Sequence, residues 1–385
     1  MYERHFDAIV IGGGIVGASA AYHLNMYGAK TLLVDRADRG RATDAGAGIL
    51  APELSLHPQE AWFDFAVEAV AYYPHMVARL NRECGGDTSF TICGMLLVAT
   101  TDDEAEEVEA ARKLILERQQ RRGSPLPADL HPVEPCDAKE MFPALGDVRH
   151  ALYYRNAARV DGRMLSSVLC KAGELRGMQI LHGNVESFVL RGDRVTGVVV
   201  DDVLYPSGTT VITGGAWSPA MAAQVGCTIP VAPQRGQIAH LELPGVETNQ
   251  WPIVMGLAGH YLLTWPQSQV VVGATRENGS GFDPNTTVEG IHEVLGQALR
   301  LAPGLKRARF NEMKVGLRPV TPDGLPIICE VPGLTGLHMA VGHGPTGLQL
   351  GPYSGAIVAK LALNAPHTVD LSAFHISRFD GVDVS

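Results

Sequence analysis

The chain has 385 residues, 46% hydrophobic and 19% charged, with a formal net charge of −10 and a pI near 5.8. That length holds two domains of ordinary size, and the composition is that of a globular protein. The acidic balance, with no cluster of Lys and Arg, argues against a nucleic-acid surface. Six cysteines (Cys84, Cys93, Cys136, Cys170, Cys227 and Cys329) form no CxxC pair, so no zinc site and no disulfide framework are expected. This usage fits a reducing, cytoplasmic compartment. No apolar run approaches a membrane span, and the residues from Met1 open directly into the first strand, leaving no room for a signal peptide.

Residues 8–11 (Ala-Ile-Val-Ile) predict a strand buried on both faces, as in a parallel sheet. Gly12 permits a tight turn, Gly14 lets the backbone approach a pyrophosphate, and Gly17 lets the next helix lie close to the strand. Residues 15–27 predict that helix, whose N-terminal amides face the phosphates, and Gly28 stops it. Residues 31–34 form a second strand ending in Asp35, where a carboxylate accepts hydrogen bonds from ribose hydroxyls. The glycine pattern by itself describes only a glycine-rich turn. With strand, helix, stop and terminal acid in register, it reads as a dinucleotide-binding βαβ unit.

Residues 58–80 and 102–122 carry helical periodicity, and the second begins with an acidic run suited to a helix N-terminus. Between them, residues 90–100 predict a strand pair broken at Gly94, and the proline-rich stretch 123–143 predicts an ordered surface connection. A helix is expected from Val160 to about Arg176, then a strand at 179–182 and a hairpin of 185–190 with 195–200, turned at Gly192-Asp193. Residues 210–217 predict a short buried strand at a sheet edge, stopping at Gly214-Gly215 as a second wall for a cofactor. Residues 229–274 predict an antiparallel sheet apart from the nucleotide core, followed by a helix at 288–301. The chain closes as it began: a strand at 337–341, a glycine-rich turn from Gly342 to Gly347 and a long helix at 348–363.

Several segments together resemble one family. They are the N-terminal fingerprint, Arg41-Ala-Thr-Asp-Ala-Gly-Ala-Gly-Ile-Leu50, Trp62-Phe-Asp-Phe-Ala66, Gly214-Gly-Ala-Trp-Ser218, Val272-Gly-Ala-Thr275, Gly316-Leu-Arg-Pro-Val-Thr-Pro-Asp-Gly324 and Gly342-His-Gly344. Over essentially the whole chain, and in the same order, they resemble the FAD-dependent D-amino-acid oxidase family, nearest to its glycine oxidases. The resemblance implies an α/β fold. A Rossmann-like FAD-binding domain would be assembled from residues 1–80, 145–220 and 310–385, and an antiparallel-sheet substrate domain from 81–144 and 221–309.

The resemblance also assigns residues. Gly12, Gly14, Ile15, Val16 and Gly17 would hold the pyrophosphate, Asp35 and Arg36 the adenosine ribose region, and Ala42 and Thr43 the phosphate side. Ala47, Gly48 and Ile49 would run along the isoalloxazine, and Val185 would meet adenine. Gly342, His343, Gly344, Pro345, Thr346, Gly347, Leu348 and Gln349 would face the flavin pyrimidine edge; the alternative for this turn is a plain strand-to-helix connection. Some members attach flavin through a cysteine just before the Thr-Pro-Asp segment. This chain has Gly316 there, so noncovalent FAD is expected.

In such an enzyme a hydride passes from the α-carbon of an amino acid to flavin N5, and the protein's main task is to orient the substrate. Arg318 matches the family's carboxylate-binding arginine, whose fork fixes a plane as well as a position; otherwise it forms a surface salt bridge. Tyr261 matches a tyrosine that adds a bond to the same carboxylate, or is a half-buried strand aromatic. Pro345 stands where glycine oxidase carries a second substrate-facing arginine, which puts strict glycine specificity in doubt. Arg276 either compensates in part or faces solvent. The implied function is oxidation of glycine, sarcosine or a D-amino acid, with oxygen reoxidising the flavin. The alternatives are a D-amino-acid or D-hydroxyproline type dehydrogenase passing electrons to a quinone or partner subunit, and a 2-hydroxy-acid dehydrogenase. The expected partner is a small-molecule amino acid. No metal site is expected, and the composition suits a homo-oligomer or an acidic monomer equally.

Overall fold

A computed structural model describes residues 5–123 and 129–381. Its first sheet is built on five parallel strands. Phe6–Ile11 lies between Thr31–Asp35 and Val203–Ile212, with Gln179–His182 outside the former and Leu337–Val341 outside the latter. Ala8 to Ile11, Thr31 to Val34 and all of Leu337–Val341 are buried, which is why these strands read as continuous apolar runs. The Val185–Arg191 and Arg194–Val200 hairpin extends the long Val203–Ile212 strand antiparallel.

Two helices from opposite ends of the chain pack on each other against this sheet. Ile15–Met26 follows the first strand and Gly347–Ala362 follows the last. Small residues allow their approach: a Cβ added at Gly355 would lie 2.6 Å from the Ser19 Cβ and 2.7 Å from the Ala20 backbone nitrogen. Ser19 Oγ donates to the Pro352 carbonyl at 2.6 Å, so the contact is polar as well as close. The helix Glu60–Cys84 covers the pair, and fully buried Tyr73 donates its hydroxyl to the Leu348 carbonyl.

The second sheet runs in the order Arg309–Val320, Ala232–Glu242, Gln269–Gly273, Tyr261–Trp265, Ile253–Gly256, Met95–Ala99, His150–Tyr154 and Leu130–Val133. Its pairs are antiparallel except Ile253–Gly256 with Met95–Ala99, which is parallel. Strand alternation gives each face its own core. Leu96 and Val98 pack with Val294 and Ala298 of the helix Val288–Leu301, whereas Met95, Leu97 and Ala99 pack with Val108, Ala111 and Ile115 of Asp102–Arg122.

Several expectations need correction. Residues 90–100 contain two strands, but Thr91–Ile92 pairs with Ala158–Arg159 while Met95–Ala99 enters the large sheet, so Gly94 redirects the chain rather than turning a hairpin. Within 123–143, the strand Leu130–Val133 and the helix Pro135–Met141 replace the expected plain connection; residues 124–128 lie outside the described residues. The strand ending at Ile212 lies inside the sheet, not at its edge. Arg309–Val320 is an edge strand that no element expected from sequence covers; its first residues are exposed and mostly polar. That strand and His150–Tyr154 hydrogen bond into the second sheet, although both were grouped by sequence with the cofactor domain.

Gly355→Val forces the two terminal helices apart, since the nearest neighbours include backbone atoms. The expected loss of stability is about 1–3 kcal/mol, read from urea unfolding of the variant against the parent.

Candidate active site

Between the two sheets lies one cavity of about 560 Å³, bordered by both strand-to-helix turns and by the second sheet. At the N-terminal turn, Gly12 has φ +105°, and a Cβ there would lie 2.7 Å from the Thr213 carbonyl oxygen. Gly17 faces away from the cavity: a Cβ would come within 1.8 Å of the Gly12 carbonyl, so glycine sets the helix-to-strand distance. Gly14 differs from both. Its backbone is ordinary (φ −67°), and the nearest atom to an added Cβ is Thr43 Oγ1 at 3.3 Å. The Ile15 amide donates to that same hydroxyl at 3.0 Å.

Asp35 ends the second strand on the cavity wall, where Arg41 Nη1 meets its carboxylate at 2.7 Å. Arg41 went unassigned in the sequence, although it opens one of the family-like segments. Arg36 pairs with Asp38 at 2.7 Å and reaches Asn184 Oδ1 at 3.2 Å, beside Val185. Ala42, Thr43, Ala47, Gly48 and Ile49 also border the cavity.

The C-terminal turn opens at Gly342 (φ +77°), which lies outside the cavity lining, and His343 to Gln349 then line it. His343 is buried with Nε2 2.9 Å from Ser354 Oγ, and burial lowers its pKa to about 3. It is therefore neutral at physiological pH. Gln349 Oε1 accepts from the Ala51 amide at 3.1 Å, tying the start of this helix to the segment after Ile49.

Arg318 and Tyr261 reach the same cavity from the second sheet. The Arg318 guanidinium lies over Gly236, where a Cβ would sit 2.4 Å from Cζ, so only glycine leaves it room. Its Nη1 donates to the Thr275 carbonyl at 2.8 Å and to Gln234 Oε1 at 3.2 Å. Among the described residues no carboxylate lies within 4.0 Å of it, so it forms no salt bridge. Desolvation by burial lowers its pKa. Tyr261 packs over Gly273, and burial pushes its phenol up to about 12, so it is a hydrogen-bond donor at neutral pH. Gln234 and Gly236, the first an acceptor for Arg318 and the second leaving it room, carry no signal in the sequence, and Thr275 stands there only as the end of a family-like segment. The register of Ala232–Glu242 against Arg309–Val320 brings Gln234 and Gly236 to it, and the bond from the Thr275 amide to the Gln237 carbonyl brings Thr275 there from the other side of the same strand.

A glycine-lined turn beneath a helix N-terminus, an acid at the end of the next strand and a second such turn across the cavity fit a flavin dinucleotide. Gly14 leaves space where a side chain would project, at the start of a helix whose N-terminal end carries a partial positive charge. These features define a flavin-dependent oxidoreductase.

The chain belongs to the family described as FAD dependent oxidoreductase (DAO), whose profile matches residues 7–361. It is 36% identical over 367 residues to an uncharacterised oxidoreductase of Bacillus subtilis, YurR, covering 95% of this chain and 97% of that protein. It is 30% identical to the glycine oxidase of Pseudomonas putida, covering 94% and 96%. Among solved structures, it is similar to iminodiacetate oxidase from Chelativorans sp. BNC1, with a TM-score of 0.90 and 34% identity, covering 96% and 98%. FAD is thus the cofactor, and the expected α/β flavoprotein fold is the one observed. Among the described residues no helix is long and apolar enough to cross a membrane.

Two outcomes are expected here. Gly14→Val, compatible with the backbone but projecting into the cavity, yields folded protein that purifies without the yellow colour; a normal flavin spectrum would count against this placement. Buried His343 and His23, lowered by desolvation to about 3 and about 4, stay neutral in the fold and take up protons only on unfolding. Their stabilising contribution is complete above pH 6.5 and is lost as pH falls toward 4. Urea unfolding at pH 5 should show stability lower than at pH 7 by on the order of 2 kcal/mol or more.

Proposed function

We propose that this chain oxidises the C–N bond of a small amino acid, glycine, sarcosine or a D-amino acid, to an imine. Water then converts the imine to a 2-oxo acid and ammonia or an amine. When bound, FAD supplies the two-electron acceptor, and molecular oxygen takes the electrons onward. The observation that carries this reading is the Arg318 guanidinium, which borders the cavity without a carboxylate of its own and is held in place by Thr275 and Gln234. Such a fork orients a carboxylate through two parallel charge-assisted bonds. Tyr261, still protonated at neutral pH, donates a further bond to it. Both groups exclude water from one side of the substrate and fix the direction of its α-carbon.

Pro345 borders the cavity on the C-terminal turn and carries no charge. Recognition of the acid group therefore falls to the second sheet. The names glycine oxidase and iminodiacetate oxidase, borne by similar proteins, support small amino acids as the substrate class. FAD would be held without a covalent bond, since Gly316 offers no nucleophile beside the cavity.

Arg318→Ala should keep FAD and its visible spectrum while kcat/KM falls roughly 10- to 150-fold, the effect of losing a charged hydrogen bond of about 1.5–3 kcal/mol. Oxygen consumption with glycine, sarcosine and a panel of D-amino acids measures it. Unchanged kinetics in this variant would remove the clamp.

A further inference from the structure

Besides Arg318, a second guanidinium borders the cavity without a carboxylate partner among the described residues and is not used in the reaction above. Arg276 follows Thr275, the residue whose carbonyl holds Arg318 at 2.8 Å. Local pairing sets its direction. The Thr275 amide donates to the Gln237 carbonyl, and Arg235 and Glu277 exchange backbone bonds, so residues 275–277 continue the antiparallel pairing with the Ala232–Glu242 strand. Thr275 and Glu277 turn their side chains to Gln237: its amide donates to Thr275 Oγ1 at 3.0 Å and its Nε2 to Glu277 Oε1 at 2.7 Å. Alternate side chains of an extended segment take opposite faces. Arg276 accordingly turns the other way, with Nη2 3.3 Å from the Cβ position of Gly259, a residue on the cavity wall.

The acid nearest in sequence is not available to it. Glu277 is bound by Arg235 at 2.6 Å, Thr275 at 2.6 Å and Gln237 at 2.7 Å, and Asp283 is also taken by Arg235, at 2.8 Å. Among the described residues Arg276 has no hydrogen-bond or ion-pair partner. One cavity is therefore bordered by two guanidinium groups without carboxylates, in a protein whose net charge is −10.

We propose that Arg276 is a specificity residue that binds a second carboxylate at the cavity mouth. The site then prefers small amino acids bearing two acid groups, one on Arg318 and one on Arg276, over monoacids such as glycine. This rests on the assignment of Arg318 as the first carboxylate clamp.

The test uses the FAD-loaded enzyme and two amine-free probes titrated by calorimetry: glutarate, the carbon isostere of iminodiacetate, and the monoacid butyrate. The parent should bind glutarate at least about tenfold more tightly than butyrate, and Arg276→Gln should bring that ratio to within about threefold of one. Arg276→Lys should restore part of the preference, because it keeps the charge and loses the fork. Arg318→Gln should weaken both probes. In turnover, Arg276→Gln should lower the ratio of kcat/KM for iminodiacetate over glycine by about tenfold, mainly through KM. Equal affinity of the parent for both probes, or a glutarate preference that survives Arg276→Gln, overturns the proposal. If no amine is oxidised while the probe ratio still depends on Arg276, the oxidase reading fails and the second carboxylate site stands.

Discussion

The close contact between the helices Ile15–Met26 and Gly347–Ala362 is the constraint on which the site depends. Each helix begins at a turn bordering the cavity, so their packing fixes how the two turns face each other. The contact tolerates almost no added volume, with Gly355 set against Ser19 and Ala20, and it is locked by the bond from Ser19 to the Pro352 carbonyl. Tyr73 and Ala51 tie the start of the second helix to two further segments through Leu348 and Gln349. A helix N-terminus places amide donors and a partial positive charge at a fixed point. Two of them begin at the wall of one cavity, an arrangement that would cradle an extended anionic cofactor only when both ends of the chain are folded.

The two sheets divide the work differently. The parallel sheet contributes backbone to the cavity, through turns whose glycines keep side chains out of it. The second sheet contributes side chains: Arg318 and Tyr261 project from its strands, and Arg276 follows from one. A guanidinium suits this partly buried position because it remains charged even when desolvation lowers its pKa. A lysine there would be open to neutralisation by burial, and it would lack the planar fork.

The parts of this design that are local in sequence were legible in it. Strand, turn, helix and terminal acid follow one another within residues 8–35, and the same grammar recurs at 337–363, so both cradle halves could be read from glycine spacing and apolar runs. Arg309–Val320 is harder to read at its start, where the exposed residues Arg309, Asn311 and Glu312 carry no apolar pattern, and only the short run Met313, Val315 and Leu317 alternates with polar or small residues. The surroundings of Arg318 were hidden for a different reason. Gln234 and Thr275 are 84 and 43 residues away in sequence, and only strand register joins them to it. Arg276 was ambiguous for the same reason, since its face is decided by pairing with the strand that carries Gln237. The segment boundaries went astray where the chain crosses between sheets, at His150–Tyr154 and Arg309–Val320, with no change in composition to mark the crossing.

The charge states of the cavity groups bear on the proposed chemistry. An amino acid in solution carries a protonated amine, which has no lone pair to assist loss of hydride. Among the described residues, the titratable groups bordering the cavity offer no base near the guanidinium end. Tyr261 is protonated at neutral pH, and His343, although neutral, is buried with Nε2 beside Ser354 Oγ. Asp35 and Asp38 pair with Arg41 and Arg36 at the nucleotide-binding turn, away from the substrate sheet. On the proposed chemistry the proton would leave to solvent, and a guanidinium nearby would favour this by disfavouring a second cation. On the same proposal, the field that draws in a carboxylate would also favour the free amine, so that binding and activation of the substrate would follow from one electrostatic arrangement, with no dedicated base among the described residues.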